Sequence, residues 1–330
     1  MSIENKDKTI RWGFIGCGSV TEVKSGPAYM QTKGFKVIGV MSRTEEKVRD
    51  YAKRHKIDSY YTNSEDLINN PEIDAVYIAT PPDSHKKYAL KVAEAGKICC
   101  IEKPLAPSYK DSLEIYEAFA GNNLPLFVAY YRRSLPRFEK IKSIIDSGEI
   151  GEVRHINWKL CRPPNKYDLE RKKNWRTEAE VAPGGYFDDI GSHGLDLFAW
   201  LLGNYTEVYG ITENQQQLYT AKDALTACWK HEKGATGAGF WNFGASVNEE
   251  FVEIYGSKGK IEFSVFDEIP VSLITESGTE KFEIEHPKHI QQFHVENILK
   301  DLIDDIYKHP STGITGLHTS WVMDRILGMV

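Results

Sequence analysis

Cysteines, long apolar runs and excess positive charge are all scarce in this chain of 330 residues. Its five cysteines, at positions 17, 99, 100, 161 and 228, are odd in number and show no C-x-x-C spacing. This pattern favours reduced thiols over a disulfide framework or a zinc site. The sequence therefore predicts no structural metal.

Membrane and nucleic-acid binding are also disfavoured. No apolar run approaches the roughly 18 residues of a membrane span, and residues 2–8 lack the apolar core of a secretory signal. The net charge is -6 without a long basic run, which argues against nucleic acid as the main partner. We expect a cytoplasmic protein with neither membrane nor nucleic-acid partners.

Two patterns of apolar residues divide the chain, and its length also favours two domains at roughly 150 residues each. In residues 10–126, short apolar runs alternate with charged helical stretches, which predicts a parallel sheet covered by helices. The predicted strands are residues 10–15, 36–41, 74–79, 98–101 and 126–129, and the predicted helices are residues 44–55, 84–95 and 112–120.

After about residue 135 the runs become longer, and many alternate or are rich in aromatic residues. They predict a mostly antiparallel sheet with a few helices. The predicted strands are residues 152–161, 207–216, 225–231, 236–243, 251–255, 260–266 and 271–275, and the predicted helices are residues 194–202, 289–308 and 318–327.

A glycine-rich turn directly follows the first apolar run. Gly16 would permit a tight turn, and Gly18 would let the backbone approach a phosphate. A strand, a glycine turn and a helix start in this order predict a dinucleotide site with the pyrophosphate at these glycines and at Ser19 and Val20. Thr21 stands where a third glycine is usual.

The end of the second predicted strand informs the choice of cofactor. A ribose-binding acid is usual there, but this sequence has Ser42 and Arg43. A hydroxyl and a guanidinium suit a 2′-phosphate, which favours NADP over NAD. Arg43 could also stack on adenine in either cofactor. The alternative is a helix-capping serine beside a solvated arginine.

Polar residues follow two later strands of the same domain, at the carboxyl ends where such sheets bind ligands. Thr80, Pro81 and His85 follow one strand, and Glu102 and Lys103 follow the next. We expect all five residues to border the cofactor, and a lysine there can also hydrogen-bond a substrate hydroxyl. The plainer alternatives are a turn with a helix cap and an ion pair of an isolated lysine.

Asp189 and His193 are four residues apart, so they share one face if their segment is helical. Histidine titrates near neutrality, as a proton donor or acceptor in an alcohol–carbonyl interconversion must. The alternatives are a helix-surface contact or half of a metal site, for which the sequence offers no further ligands.

Taken together, these motifs resemble those of the Gfo/Idh/MocA family, the glucose–fructose oxidoreductase and inositol dehydrogenase group. Trp175-Arg176 and Gly184-Gly185 add to the resemblance, which runs from residue 11 to about residue 327. It implies an α/β protein with a Rossmann dinucleotide-binding domain over residues 1–126. A substrate-binding and oligomerisation domain with a large, mostly antiparallel open sheet would follow over residues 127–330. The carboxyl-terminal helix is a candidate to return to the first domain.

The resemblance also implies an activity and a set of site residues. Lys103, Asp189 and His193 would be the catalytic group. The implied reaction is hydride transfer between NADP, or else NAD, and a carbonyl or hydroxyl group of a sugar, polyol or derivative, in a homodimer or homotetramer. The substrate-binding residues would be Tyr131, Arg132, Trp175 and Arg176.

Two other functions are compatible with the same scaffold. One is an NAD-dependent glycoside hydrolase, and the other is a non-catalytic cofactor-binding regulator, against which the complete catalytic set argues. A further expectation concerns assembly: aromatic side chains on an open sheet face would form an oligomer interface, unless they fill the core of their own domain. These side chains are Trp229, Phe240, Trp241 and Phe243.

Overall fold

The computed structural model describes residues 9–172 and 174–330. These residues form two compact units. The first contains the described residues up to Ala106, with Lys110–Leu135 and Pro287–Leu317. The second contains Pro107–Tyr109, Pro136–His286 and His318–Val330.

The first unit is built on a parallel sheet of six strands in the order β3-β2-β1-β4-β5-β6. The order reverses between β1 and β4, which is the switch point where doubly wound sheets bind ligands. The strands are β1 Ile10–Ile15, β2 Phe35–Met41, β3 Ser59–Tyr61, β4 Ala75–Ile78, β5 Ile98–Ile101 and β6 Leu126–Val128.

The second unit contains an eight-stranded sheet in the order β14-β13-β12-β11-β7-β10-β9-β8. Every neighbouring pair is antiparallel except β7 and β10. The strands are β7 Val153–Cys161, β8 Tyr205–Glu213, β9 Ala224–His231, β10 Thr236–Asn242, β11 Glu249–Gly256, β12 Gly259–Phe263, β13 Val271–Thr275 and β14 Gly278–Phe282. The predicted α/β class is confirmed, with a parallel Rossmann sheet followed by a mostly antiparallel one.

The α-helices are distributed over both units. In chain order they are α1 Ser19–Val23, α2 Gly26–Gln31, α3 Glu45–His55, α4 Ser64–Ile68, α5 His85–Glu94, α6 Tyr109–Gly121, α7 Pro136–Asp146, α8 Lys166–Leu169, α9 Tyr186–Leu202, α10 Gln292–Ile303 and α11 Gly313–Leu327. Within the described ranges, no helix is long and apolar enough to cross a membrane.

Several aromatic side chains pack together in the core of the first unit. Trp12 and Phe14 point inward from β1 and meet Tyr29 of α2, with ring centroids 4.7 and 5.3 Å apart. Val295 and Ile298 of α10 belong to the same buried cluster. Burial of this apolar surface holds α10 on the first unit, although it lies far along the chain.

In the second unit, α9 packs on one face of the sheet. Trp158 of β7 contacts Phe198 of α9 at a ring-centroid distance of 5.3 Å, and Trp241 of β10 contacts Phe187 of α9 at 4.7 Å. The alternation along the strands buries one side and exposes the other. The expectation that four aromatic residues share an open face is therefore wrong for three of them: only one stays exposed, because the others point toward the core. The buried residues are Trp229, Trp241 and Phe243, and the exposed residue is Phe240.

Candidate active site

The turn after β1 needs glycine at its first position. Gly16 has a φ of +108°, a conformation that side chains rarely adopt. A Cβ there would also lie 2.6 Å from the carbonyl oxygen of Ala79, just beyond β4. The turn therefore runs directly beside the switch point of the sheet.

Gly18 has a different reason to be glycine. Its backbone is extended, with φ of -97°, and a Cβ there would meet no atom of the protein within 4 Å. Nothing in the described fold therefore excludes a side chain, whereas a phosphate approaching the backbone and the start of α1 would. The turn thus fits the pyrophosphate of a dinucleotide.

Thr21 takes the place of the third glycine without disturbing the turn. It is fully buried, and its hydroxyl donates a hydrogen bond to the carbonyl of Gly18 at 2.9 Å. Its own carbonyl accepts from the Tyr51 hydroxyl at 2.9 Å. A Cβ on Gly26 would overlap that carbonyl. Gly26 therefore allows the close packing that the third glycine of a dinucleotide-binding turn usually allows.

Ser42 and Arg43 follow β2. The N-cap of α3 is Thr44, so the alternative that Ser42 caps this helix is wrong. The Ser42 hydroxyl accepts a long hydrogen bond, of 3.4 Å, from the Thr44 backbone N–H. Arg43 is exposed, and its guanidinium is accessible to a ligand at the carboxyl end of β2.

His85 ties the loop after β4 to the loop after β5. Its side chain is fully buried, with ring nitrogens 2.9 Å from the carbonyl oxygen of Thr80 and 3.0 Å from that of Pro104. Burial lowers the pKa of His85, although both carbonyls oppose this shift. His85 thereby fixes the backbone at Thr80 and at Pro104.

The Glu102 carboxylate is bound inside the first unit. It accepts hydrogen bonds from the Tyr77 hydroxyl at 2.6 Å and from the Gln291 side-chain amide at 2.8 Å. A longer bond comes from the backbone N–H of Lys103. Glu102 therefore holds the start of α10. Lys103, the next residue after Glu102, is half-buried at the carboxyl end of β5.

Asp189 and His193 lie one turn apart on α9, as their spacing predicts. The helix begins after Gly185, whose φ is +65° and whose Cβ would lie 2.5 Å from the carbonyl oxygen of Lys222. The Asp189 carboxylate accepts a hydrogen bond from Nε of Arg176 at 2.6 Å. This ion pair, which the sequence did not predict, fixes the carboxylate.

Arg176 also stacks on its neighbour. Its guanidinium carbon lies 4.3 Å from the ring centroid of Trp175, within cation–π range. Trp175, Arg176 and Asp189 thus form one connected group within the second unit.

His193 is only 7% exposed. Its ring meets the ring of Phe266 edge-on, with centroids 6.3 Å apart. The guanidinium carbon of Arg162 lies 5.6 Å from the Phe266 ring centroid. Phe266 and Arg162 come from the sheet region, so no local sequence pattern connects them to His193.

Tyr131 and Arg132 belong to the first unit, as Lys103 does. They lie in a short 3₁₀ turn, Tyr131–Ser134, where both are buried. The guanidinium carbon of Arg132 lies 5.0 Å from the Tyr131 ring centroid.

Among the described residues, no three His, Cys, Asp or Glu side chains form a metal-binding group.

Comparison with known proteins gives matches over both units. Residues 10–130 match the family described as "Oxidoreductase family, NAD-binding Rossmann fold", and residues 138–262 match the "GFO/IDH/MocA C-terminal domain". An oxidoreductase of Formosa agariphila is 38% identical over 87% of this chain and 88% of its own length.

Two further relatives have more specific names. The 1,5-anhydro-D-fructose reductase of Ensifer adhaerens is 26% identical over 80% of this chain and 79% of its own. A levoglucosan dehydrogenase, solved with NADH and levoglucosan, superimposes with a TM-score of 0.86 and 21% identity, covering 97% of this chain and 96% of its own. At that identity the superposition shows a shared fold.

Proposed function

The chain belongs to the Gfo/Idh/MocA family of oxidoreductases, and from that premise we propose that it interconverts a hydroxyl and a carbonyl group on a sugar, polyol or related compound. Two features of the same chain support the proposal: the first unit has a dinucleotide turn that is open at Gly18, and the second unit has a helix that bears Asp189 and His193. The bound nicotinamide would accept or supply the hydride.

We propose distinct roles for the three catalytic residues. His193 accepts the proton of the substrate hydroxyl in one direction and returns it in the other. Lys103 donates a hydrogen bond to the reacting oxygen or its neighbour. Asp189, held by Arg176, orients the substrate or the imidazole.

The cofactor would be held by residues of the first unit. The glycine turn would bind the pyrophosphate, and Thr80 and Pro81 would border the nicotinamide side. His85 and Glu102 contribute by fixing the loops that carry these contacts. The remaining cofactor-binding residues in this proposal are Gly16, Gly18, Ser19, Val20, Ser42, Arg43 and Lys103.

The Ser42–Arg43 pair supports NADP(H) as the preferred cofactor. Arg43 is exposed, and a charge-assisted hydrogen bond to a 2′-phosphate would be available to it. The relative crystallised with NADH shows that the fold also accommodates the unphosphorylated cofactor.

The substrate class is supported by relatives that act on sugar derivatives, as their names state. Tyr131, Arg132 and Trp175 would contact the substrate, with Arg176 also acting through Asp189. The proposal is tested by screening cyclic sugars, aldoses and inositols with NAD(H) and NADP(H) for a change in nicotinamide absorbance. Net oxidation or reduction of at least one such compound is expected. Release of free sugar from glycosides without net cofactor turnover would instead favour a hydrolase.

We also propose that the protein forms a homodimer or homotetramer through the exposed face of its large sheet. Ile211, Thr226 and Phe240 are register partners across β8, β9 and β10, and all three are exposed. Ile211 is 78% exposed and Tyr209 nearby is 58% exposed, which is unusual for side chains of this size. Light scattering at micromolar concentration is expected to show an oligomer, and a monomer would contradict this assignment.

A further inference from the structure

A half-buried carboxylate in the second unit has no part in the chemistry proposed above. Glu250 of β11 accepts hydrogen bonds from the indole N–H of Trp158 at 2.6 Å and from the backbone N–H of Val265 at 3.0 Å. It also accepts one from the Ser264 hydroxyl. Burial raises the pKa of Glu250, and these donors oppose the shift. A carboxylate with three donors around it is fixed in one place.

One path leads from Glu250 to His193 through Trp158. The benzene ring of Trp158 packs against the backbone of Gly194, where a Cβ would overlap the ring. Gly194 directly follows His193 in α9. The indole thus contacts Glu250 at its N–H and contacts the helix beside His193 at its opposite edge.

A second path leads through the turn after β12. The Ser264 hydroxyl, which donates to Glu250, accepts hydrogen bonds from the backbone N–H groups of Phe266 at 3.0 Å and Asp267 at 2.7 Å. This turn places the Phe266 ring against the ring of His193. The first path thus ends at the helix backbone next to His193, and the second ends at its imidazole.

The residues that follow the Phe266 turn are also held in place. Arg137 of α7 is buried and donates a hydrogen bond to the carbonyl of Ile269 at 2.8 Å. Burial lowers the pKa of the Arg137 guanidinium, and the negative charges of Glu268, Glu250 and Asp267 oppose this shift. The turn that carries Phe266 is therefore anchored on both sides.

We propose that Glu250 is a positioning residue that fixes Trp158 and the Phe266 turn and, through both, the place and orientation of the His193 imidazole. The effect on turnover rests on the proposed function of His193. The positioning itself is a property of the folded protein and can be measured without substrate.

The test is a titration of His193 by NMR in protein with labelled histidine, with its resonance identified by its absence in His193→Ala. Glu250→Gln keeps the shape but turns an NH₂ group toward the surrounding donors, so at least one hydrogen bond is lost. Glu249→Gln is the matched control, because Glu249 is exposed on the same strand and pairs with Lys159. We expect the titration curve of the His193 resonance to shift in Glu250→Gln and to stay unchanged in Glu249→Gln.

Kinetics provide the second readout. We expect kcat to fall by about 10- to 100-fold in Glu250→Gln, since small displacements of a reacting group have effects of this order. KM and cofactor affinity should change little, because Glu250 contacts neither ligand in the proposed site. Trp158→Phe removes the indole N–H together with the ring atoms that pack on Gly194, so it breaks this path at both ends and should also lower kcat. The double variant with Glu250→Gln should lose less than the product of the two single effects.

Two outcomes are decisive. If Glu250→Gln folds and leaves the His193 resonance unchanged, the proposal is overturned. If Glu250→Gln does not fold, an unchanged resonance in folded Trp158→Phe overturns it. If the resonance shifts while His193→Ala keeps its activity, Glu250 still positions the imidazole, and it is the proposed catalytic role of His193 that fails.

Discussion

Gly16 and Gly18 stand two residues apart in one turn, and the structure gives them different reasons to be glycine. Gly16 is required by its backbone conformation and by the carbonyl of Ala79 beside it. A Cβ on Gly18 would point into open space, and the backbone there is an ordinary extended one. The first glycine serves the fold, and in the proposed function the second serves a ligand.

This difference predicts that alanine at position 16 lowers stability, whereas alanine at position 18 weakens cofactor binding. Gly16→Ala should lower the free energy of unfolding by about 1–3 kcal/mol, because alanine is strained at this φ. Gly18→Ala should leave that free energy within about 0.5 kcal/mol of the wild type. It should nevertheless weaken dinucleotide binding by about tenfold or more, which corresponds to about 1.4 kcal/mol. Urea denaturation and fluorescence titration with NADPH and NADH measure both effects, and unchanged cofactor affinity in Gly18→Ala would remove the turn from the binding site.

The choice between cofactors is a second question at this scale. Arg43→Ala should weaken NADP(H) binding by about 10- to 100-fold, since a hydrogen bond to a charged group contributes about 1.5–3 kcal/mol. NAD(H) binding should hardly change. Ser42→Asp should shift the preference toward NAD(H) by repelling the 2′-phosphate.

Arg49→Ala is the matched control for that prediction, because Arg49 is also an exposed arginine but lies within α3 rather than at the end of β2. It should leave both affinities unchanged. A wild-type protein that prefers NAD(H) by tenfold or more would show that Ser42 and Arg43 do not select the phosphate.

What the sequence could predict of individual site residues depends on how local their contacts are. The four-residue spacing of Asp189 and His193 correctly predicts one helical face. The Arg176 partner of Asp189 comes from a separate turn, and Phe266 reaches His193 from another part of the second unit. No periodicity encodes such long-range contacts, which arise only when the chain folds.

At the scale of elements, burial decides which strands the sequence predicts. The boundaries of β1, β5 and β13 agree with prediction to the residue. β14 was not predicted, because four of its five residues are exposed and it has no apolar alternation. As an edge strand it is held by backbone pairing with β13. Backbone pairing does not require an apolar alternation of side chains, so the sequence does not reveal this strand.

Helix boundaries were less predictable, for reasons that differ between helices. α9 begins at Tyr186 instead of residue 194, and Asp188 and Asp189 in its first turn favour the start through the helix dipole. α10 ends at Ile303 instead of residue 308. The side chain of Asp304 there accepts a hydrogen bond from the backbone N–H of Ile306, a local turn that competes with the helix.

The packing of α9 predicts a specific cost for one glycine. Gly194→Ala should lower the free energy of unfolding by about 1–3 kcal/mol, because the added methyl group overlaps the Trp158 ring. Gly121→Ala is the control: no atom lies within 4 Å of its Cβ position at the end of α6, so alanine should leave stability equal or raise it by about 0.4–1 kcal/mol. Urea midpoints for the two variants give the comparison, and equal midpoints would contradict the close packing of α9 on β7.

At the scale of the whole molecule, buried histidines make both units sensitive to acid. His309 of the first unit and His231 of the second are buried, and burial lowers the pKa of each to about 4. The unfolded chain titrates near 6.5. Between these values the unfolded state binds more protons, so this contribution to stability is complete above pH 6.5 and is lost as the pH falls toward 4.

We therefore expect the urea midpoint of unfolding to fall steadily from pH 7 to pH 4.5. Each histidine contributes up to about 3 kcal/mol across the full range. Added salt should not remove the trend, because it reflects buried groups rather than screened surface charges. A midpoint that is constant over this range would show that these histidines are protonated in the folded protein or equally perturbed in the unfolded chain.

The proposal that this protein is an oxidoreductase with His193 and Lys103 as catalytic residues is tested most directly by removing each side chain. With a substrate from the sugar screen, His193→Ala and Lys103→Ala should each lower kcat by about 10² to 10⁴ while cofactor affinity stays nearly constant. His155→Ala, a histidine on β7 outside the proposed site, should keep wild-type kcat, and circular dichroism should show all three variants folded. A folded His193→Ala protein that keeps most of its activity, or activity that requires an added divalent metal and is abolished by a chelator, would contradict the account.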